Sequence, residues 1–277
     1  MPVGEAEAGA GLGGVGFDGG DELGHGPILP SDIAVRLSRM GRAGQTRLRE
    51  RMAFPHPPRA ARIAINRLVR ADPDFAGIEK AAGPLPWRTR TAGFPGLLQA
   101  IMGQQISNAA AAAIWGRLRA LPGAVTPSGL LALSDEDLRG AGLSRPKVAH
   151  ARSLAAAFED GTLDAAAIAA LDDDAAVARI ASVRGLGPWT AEVYLLFALG
   201  RFDVFPAGDI ALAGAAAALK KLPARPREKE FRVLAEQWRP YRSLAARLLW
   251  HHWRHITGRP AMDDFAPPET PRENNRS

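Results

Sequence analysis

The chain has 277 residues, no cysteine and a formal net charge of +6, from 35 Lys and Arg against 29 Asp and Glu. This length suffices for one large domain or two modest lobes with a substantial core, and the lack of cysteine excludes disulfides and cysteine-ligated iron–sulfur clusters. The positive net charge favours a polyanionic partner. No apolar run approaches the ~20 residues that a membrane span needs.

The two ends of the chain differ in composition from the middle. Residues 1–30 hold much of the glycine without apolar periodicity, and arginines recur over 31–52. Such segments bury too little apolar surface to fold. We therefore expect a disordered Gly/Arg-rich extension over 1–57, a folded domain over 58–259 and a disordered tail over 260–277.

Helical sequence dominates the middle, because Ala, Leu and Arg are abundant and β-branched runs are missing. The pattern predicts an all-α fold. Ser134, which precedes Asp135-Glu136-Asp137, and Ser144 are typical helix N-caps. The predicted helices lie near residues 58–71, 95–102, 107–120, 135–140, 145–159, 164–170, 173–182, 188–199, 210–220, 227–237 and 241–256.

One predicted helix leads into a turn that carries two glutamines. Gly103 can end the helix and Ser107 can cap the next, which leaves Gln104 and Gln105 on the turn between them. A rigid turn with protruding amides suits insertion into a nucleic-acid duplex. Taken alone, the segment is better explained by glutamines that only tie the turn together.

The segment Ile180-Ala-Ser-Val-Arg-Gly-Leu-Gly-Pro-Trp-Thr-Ala191 predicts a helix, a tight hairpin and a second helix. Gly185 can take a backbone conformation closed to other residues, and Gly187 removes side-chain bulk where a ligand approaches. Pro188 suits the start of the second helix, whose free amides can bind a phosphate. The plainer alternative is a glycine C-cap followed by a turn into another helix.

An apolar loop that contains proline, Phe202-Asp-Val-Phe-Pro-Ala-Gly-Asp209, then delivers a carboxylate to the start of an alanine-rich helix. On spacing alone, Asp209 is best explained as the N-cap of helix 210–220. The rival carboxylates fit other places. We expect Asp203 to bond within the loop and Glu192 to sit on an exposed helix face.

Together these segments resemble the helix-hairpin-helix (HhH-GPD) superfamily of DNA glycosylases, and the pattern is most similar to the DNA-3-methyladenine glycosylase II type. The resemblance implies a two-lobed all-α fold that binds double-stranded DNA with a damaged base across the cleft between its lobes. We expect a cytoplasmic, nucleoid-associated monomer. The likeness runs from about Pro58 to Arg259 and rests on the segments Ile101–Ser107, Gly142–Lys147, Ile180–Asp209 and Trp238–Ala246.

The resemblance also implies roles for individual residues. Asp209 becomes the catalytic carboxylate, which stabilises positive charge on the sugar and orients or deprotonates the attacking water. Gln105 takes the wedge position in the gap left by the extruded nucleotide, and Gln104 bonds to nearby DNA or backbone. The remaining DNA contacts are Ser107, Gly185, Gly187 and Thr190.

The positions of the tryptophans indicate which reaction subtype to expect and which residues line the base pocket. Trp189 stands where relatives that also cut the backbone place a lysine, and tryptophan cannot form a Schiff base. Lys220 and Lys221 lie at the far end of another helix, so the resemblance implies a monofunctional enzyme that leaves an abasic site. It also places Trp189 and Trp250 in the base pocket, where an aromatic face attracts a cationic purine. We expect Trp115, Trp238 and Trp253 to pack in the core.

We expect no cofactor and no catalytic metal. His251 and His255 have an i, i+4 spacing but no intervening glutamate and no third ligand nearby, which favours a partly exposed basic helix. The resemblance allows a monovalent cation on hairpin carbonyls near Val183 and Gly185.

The expected substrates are alkylated purines such as 3-methyladenine and 7-methylguanine, because alkylation already activates them as leaving groups. Two alternatives stay open. One is a non-catalytic protein that senses lesions or branched DNA with the same hairpin. The other is a glycosylase for a different base, such as uracil or an oxidised purine.

Overall fold

The structure, a computed structural model, describes residues 56–258 apart from the side chain of Asn108. The predicted tail over 260–277 and nearly all of the predicted extension over 1–57 lie outside the described residues. Within residues 56–258 the regular structure is helical and no strand is present, which confirms the all-α prediction. None of these helices is long and apolar enough to cross a membrane.

We number the α-helices in chain order; 3-10 helices over Pro73–Gly77 and Glu236–Trp238 stand between them. The α-helices are α1 (Arg59–Ala71), α2 (Ile78–Ala82), α3 (Gly93–Gly103), α4 (Asn108–Arg119), α5 (Pro127–Ala132), α6 (Asp135–Gly140), α7 (Arg145–Glu159), α8 (Ala165–Ala170), α9 (Asp173–Ala181), α10 (Pro188–Phe197), α11 (Ile210–Leu219), α12 (Glu228–Ala235) and α13 (Arg242–Thr257). The predicted helices agree with these bounds to within about two residues. Sequence reasoning missed only the short helices α2 and α5 and the first 3-10 helix.

Local capping explains several of these helix starts. The Ser134 hydroxyl accepts a bond from the Asp137 N–H (3.1 Å), and the Asp137 carboxylate accepts one from the Ser134 N–H (3.0 Å). This reciprocal pair satisfies two amide groups that a helix start leaves unpaired. Ser144 precedes α7 as predicted, although its side chain makes no capping bond.

Two separate hydrophobic cores divide the described helices into two lobes. The core of the first lobe is built by helices α3 to α10 and includes the fully buried Leu98, Ile101 and Leu154. The core of the second lobe joins α1, near the start of the chain, to α11, α12 and α13, near its end. There Trp238 packs edge-on against Phe75, with 5.5 Å between ring centroids. The predicted two-lobed architecture is therefore correct.

Helix α10 contributes to both cores. Tyr194 and Leu195 belong to the core of the first lobe, and Leu196 belongs to that of the second. A helix that is buried on several sides cannot be strongly amphipathic. Its position makes α10 a wall shared by the two lobes.

A buried polar cluster ties the two ends of the second lobe together. Asp72, which is 6% exposed, accepts hydrogen bonds from Trp238 Nε1 (2.8 Å) and from Lys220 Nζ (2.6 Å). Lys220 also pairs with Asp74 at 2.9 Å. Burial by itself would raise the pKa of Asp72, but the bonds from Lys220 and Trp238 outweigh it and leave the pKa below its usual value. The folded state therefore favours the ionised carboxylate.

Asp72→Ala should lower the free energy of unfolding by about 3 kcal/mol, because it removes one partner of a buried ion pair and leaves the Trp238 N–H unpaired. Urea titration of both proteins measures the difference. Asp74→Ala is the matched control: its carboxylate contacts the same lysine but is half exposed, so its loss should cost less than about 1 kcal/mol. Equal losses would contradict the role of burial.

Candidate active site

The loop before Asp209 is fixed to the start of α13. The Ser243 hydroxyl donates to the Val204 carbonyl (2.8 Å) and accepts from the Val204 N–H (2.9 Å). Asp203 pairs with Arg242 at 3.0 Å, so its partner lies at the start of α13 and not within the loop as expected. These contacts leave the end of the loop little freedom, which positions Asp209.

The two oxygens of the Asp209 carboxylate have different partners. Oδ1 accepts a hydrogen bond from the Leu212 N–H (2.9 Å), and Oδ2 accepts one from Trp189 Nε1 (3.1 Å). Asp209 is thus the N-cap of α11, as the plainer interpretation held. Its second oxygen nevertheless points at the start of α10, where the hairpin ends, and the side chain is half-buried.

Asp209 opens onto a cavity of about 930 Å³, counted with the part that is open to solvent. The walls come from the segment between α2 and α3, from α10 and from α13. Trp189 and Trp250 both line it, as expected, and the Trp250 ring lies against Phe197 with centroids 5.5 Å apart.

Trp253 packs against the core of the second lobe, as predicted, but it also lines the same cavity, which the prediction did not include. The face on which Trp253 lies could be read from helical periodicity, but what packs against that face could not. Trp115 and Trp238 are core residues as predicted, at 8% and 1% exposure.

Sequence reasoning missed Arg247, which lies in the cavity wall. Its guanidinium stacks 4.1 Å from the Trp87 ring centroid and 4.5 Å from that of Phe197. It also donates to the carbonyls of Arg88 (2.8 Å) and Leu196 (3.1 Å). Cation–π contacts of a desolvated arginine are stabilising, so Arg247 holds the aromatic wall in place. The sequence feature that could have identified Arg247 is the presence of an arginine within the apolar part of α13.

The expected exposure of the histidine pair is right for His255 and wrong for His251, which is 7% exposed. Nδ1 of His251 lies 3.0 Å from an Arg254 nitrogen, which can only donate. The other ring nitrogen therefore carries the proton and donates to the Gly83 carbonyl at 2.8 Å. Burial lowers the pKa of His251, consistent with a neutral ring. In residues 56–258 no group of three or more His, Cys, Asp or Glu could hold a metal ion.

The expectation that Glu192 lies on an exposed helix face is also wrong. It is 6% exposed and pairs with Arg232 at 3.1 Å. Burial raises the pKa of Glu192 to about 7, although the charge of Arg232 acts in the opposite direction. The prediction failed because α10 packs in both lobes, and this packing buries a helix face that looks polar in the sequence.

The two glycines of the hairpin have different surroundings. Gly185 has a φ of 95°, and a Cβ on it would lie 2.3 Å from the His150 ring. A Cβ on Gly187 would meet nothing within 4 Å. Gly187 precedes α10, whose start has no side-chain cap. The amide end of α10 therefore has room for a ligand, as the sequence predicts for a phosphate.

The glutamine turn contacts the hairpin directly. Gln104 Nε2 donates to the Gly185 carbonyl at 2.9 Å. Gln105 is exposed at the tip with a φ of 58°, a left-handed conformation that costs about 1 kcal/mol for a residue other than glycine. Lys147 supports the turn, because it is buried and donates a hydrogen bond to the Met102 carbonyl at the end of α3. Burial lowers the pKa of Lys147.

Two further residues implied as DNA contacts differ in accessibility. Ser107 is exposed and caps α4, because its hydroxyl accepts from the Ala110 N–H at 3.3 Å. Thr190 is only 5% exposed, which leaves its backbone N–H in the first turn of α10 as the group able to face a phosphate.

The hairpin carbonyls fit the monovalent cation that the resemblance allows. The Val183 oxygen accepts from the Leu186 N–H at 3.0 Å, and the Gly185 oxygen accepts from Gln104. A carbonyl oxygen has two lone pairs, so each retains the capacity to coordinate an ion. The cation itself stays a prediction.

Comparison with known proteins agrees with this arrangement. The family model described as "HhH-GPD superfamily base excision DNA repair protein" matches residues 98–240, more than half of the chain. The chain belongs to the HhH-GPD superfamily. This confirms the family that the sequence motifs indicate.

Several known proteins are similar to most of this chain. DNA-3-methyladenine glycosylase 1 of Schizosaccharomyces pombe is 29% identical, over 64% of this chain and 77% of that protein. The crystal structure of a DNA-3-methyladenine glycosidase from Bacillus halodurans is 30% identical, with a TM-score of 0.63, and covers 70% of this chain and 91% of that one. A Schizosaccharomyces pombe 3-methyladenine DNA glycosylase in complex with abasic DNA is 27% identical, with a TM-score of 0.62, over 73% and 98% of the two chains.

The hairpin glycines should respond differently to alanine. Gly185→Ala should lower the free energy of unfolding by about 2 kcal/mol, because it adds a strained φ and a clash with His150. Gly187→Ala should leave stability nearly unchanged and weaken duplex DNA binding about tenfold, the cost of one charge-assisted hydrogen bond. Urea unfolding and fluorescence anisotropy measure the two effects. Unchanged DNA affinity in Gly187→Ala would count against a phosphate at this helix start.

Proposed function

We propose that this protein is a monofunctional DNA glycosylase that excises alkylated purines, such as 3-methyladenine and 7-methylguanine, and leaves an abasic site. The observation that carries the proposal is the position of Asp209, whose carboxylate opens onto an aromatic cavity beside the hairpin. Membership of the HhH-GPD superfamily supports base excision. The names of similar proteins, DNA-3-methyladenine glycosylases, support an alkylated substrate.

Asp209 suits hydrolysis of the N-glycosidic bond. The bond between C1′ and the base nitrogen breaks, and the base leaves with the bonding electrons. The sugar then carries positive charge, as in glycoside hydrolysis, and a fixed carboxylate stabilises it. Water adds to C1′ and gives up a proton, which Asp209 can accept as general base. No general acid is needed, because an alkylated purine is already an activated leaving group.

The aromatic residues that line the cavity suit a flipped purine base. Trp189 and Trp250 line it, and Phe197 extends the aromatic surface. An alkylated purine is electron-deficient and positively charged, and such a ring is attracted to an aromatic face. The cost of flipping is a few kcal/mol and is least for a damaged pair.

A covalent amine mechanism lacks its nucleophile in this site. Among the described residues, no lysine lines the cavity. The position after the hairpin is Trp189, and Lys220 is engaged by Asp72 and Asp74 in the second lobe. Water is therefore the proposed nucleophile.

Asp209→Asn should reduce release of 3-methyladenine and 7-methylguanine from methylated duplex DNA by at least about 100-fold, since it removes both charge stabilisation and the base. Binding to DNA should persist, because an asparagine oxygen can still cap α11. Chromatography of released bases and anisotropy measure the two properties. Asp172→Asn is the matched control, as Asp172 is an exposed N-cap of α9, and it should leave both unchanged.

Other results would point elsewhere. A folded, DNA-binding wild type that releases no alkylated purine would reject this substrate class in favour of uracil, an oxidised purine or a non-catalytic lesion sensor. A covalent enzyme–DNA adduct trapped by borohydride would overturn the monofunctional mechanism.

We also propose that Gln105 is the wedge that fills the gap in the duplex. Gln105→Ala should weaken binding to a duplex with an abasic-site analogue about tenfold and change binding to undamaged duplex little, since only the former offers a gap. Gln105→Gly should show the same loss while relieving the strain at φ 58°, which separates the amide from the backbone. Equal losses on both duplexes would exclude the wedge role.

A further inference from the structure

Helix α12 connects the helix that follows the hairpin to the loop that carries Asp209. On one side, Arg232 of α12 pairs with Glu192 of α10, with 3.1 Å between the charged atoms. On the other side, Phe231 of α12 packs edge-on against Phe205 of the loop, with 4.9 Å between ring centroids. The loop before Asp209 is thus attached to α10 through α12.

Two further contacts place this connection close to the Asp209 carboxylate. The carboxylate of Glu228, which pairs with the same arginine of α12 at 3.1 Å, lies against Gly208: a Cβ on that glycine would be 3.4 Å from it. Gly208 directly precedes Asp209. Glu192 follows Trp189 by three residues on the same side of α10, and Trp189 Nε1 donates to Asp209. Movement of α12 relative to α10 would therefore displace Asp209 relative to Trp189.

Ionisation of Glu192 costs folding free energy, so stability does not explain its presence. The residue is 6% exposed, and burial raises its pKa to about 7 from an ordinary value of 4.5. As the pH rises the unfolded state loses its proton first, so stability falls between about pH 4.5 and about pH 7. The charged groups around Glu192 are Arg232 and Glu228 on α12 and Arg242 on α13. Ionisable groups with such surroundings are concentrated at functional sites.

We propose that Glu192 is a positioning residue for the glycosylase reaction, because its ion pair with Arg232 fixes α12 and the loop so that Asp209 faces the cavity. The inference rests on the proposed function, since it concerns the same carboxylate. Ionised Glu192 attracts Arg232, and the protonated side chain has no charge to do so. Excision should therefore be faster when Glu192 is ionised. Displacement of a catalytic group by about 1 Å can cost about 100-fold in rate.

The test compares wild type with Glu192→Gln, which is neutral at every pH and has nearly the shape of the protonated acid. Single-turnover release of 7-methylguanine from methylated duplex DNA is measured between about pH 5.5 and about pH 8.5 with saturating protein, after subtraction of spontaneous release. The ratio of rates, wild type over variant, should be close to one at the acidic end. It should rise with a midpoint near pH 7 to about tenfold. The ratio removes pH effects that both proteins share, such as those on the DNA.

Asp173→Asn is the matched control. It breaks an ion pair of 2.7 Å with Arg201 in the first lobe, away from α12 and the loop. Its rate should follow that of wild type at every pH. A ratio of wild type to Glu192→Gln that does not change with pH would overturn the inference.

Urea unfolding of the same proteins separates a positioning role from a structural one. At about pH 8.5, Glu192→Gln should be more stable than wild type, because it removes the buried charge, and yet slower in excision. A variant that is both less stable and slower would show that the ion pair only supports the fold. That result would overturn the inference.

A second variant covers the case in which Glu192→Gln does not fold. Arg232→Gln removes the opposite charge and makes ionisation of Glu192 less favourable, so the pH at which excision rises should increase by about one pH unit. An unmoved midpoint would overturn the inference. Wild type that releases no base at any pH would reject the proposed function and the inference with it. An active wild type whose ratio to Glu192→Gln is constant would reject only the role of Glu192.

Discussion

The two carboxylate oxygens of Asp209 bind different parts of the protein, and the rest of the site depends on these two hydrogen bonds. One oxygen caps α11 through the Leu212 N–H, which fixes the carboxylate to a rigid element. The other faces Trp189 at the end of the hairpin. Because Ser243 holds the preceding loop against α13, helix geometry sets the position of the carboxylate more than loop flexibility does. The role proposed for Asp209, stabilisation of developing charge, requires a carboxylate that is held in place in this way.

The sequence segments that resemble the superfamily contact one another in the structure. The glutamine turn reaches the hairpin through the bond from Gln104 to the Gly185 carbonyl. The same turn is supported by Lys147, which closes the end of α3 at Met102. Residues that are 81 and 45 positions apart in the sequence are thus joined by hydrogen bonds. The bond from Gln104 holds the turn that carries the proposed wedge, Gln105, at a constant distance from the phosphate site proposed at the hairpin. A duplex of regular geometry requires such a constant distance.

The cavity lies where the two lobes meet. Helix α10 belongs to both cores, and α13 carries Arg247, Trp250 and Trp253 to the opposite wall. The second lobe depends on contacts between the start and the end of the described chain, in which Asp72 and Lys220 form the buried polar link. Stability of that lobe and shape of the pocket are therefore coupled through the same helices.

The sequence by itself determined the helix boundaries, the caps and the hairpin, since each depends on neighbours within a few residues. Helices α2 and α5 were missed because five or six residues are too few to show a 3.6-residue period. Only the tertiary structure decided the surroundings of Glu192, His251 and Trp253. Whether a polar residue is buried, or an aromatic residue lines a cavity, depends on which distant segment packs against it. Helical spacing gives the direction of a side chain and carries no record of that partner.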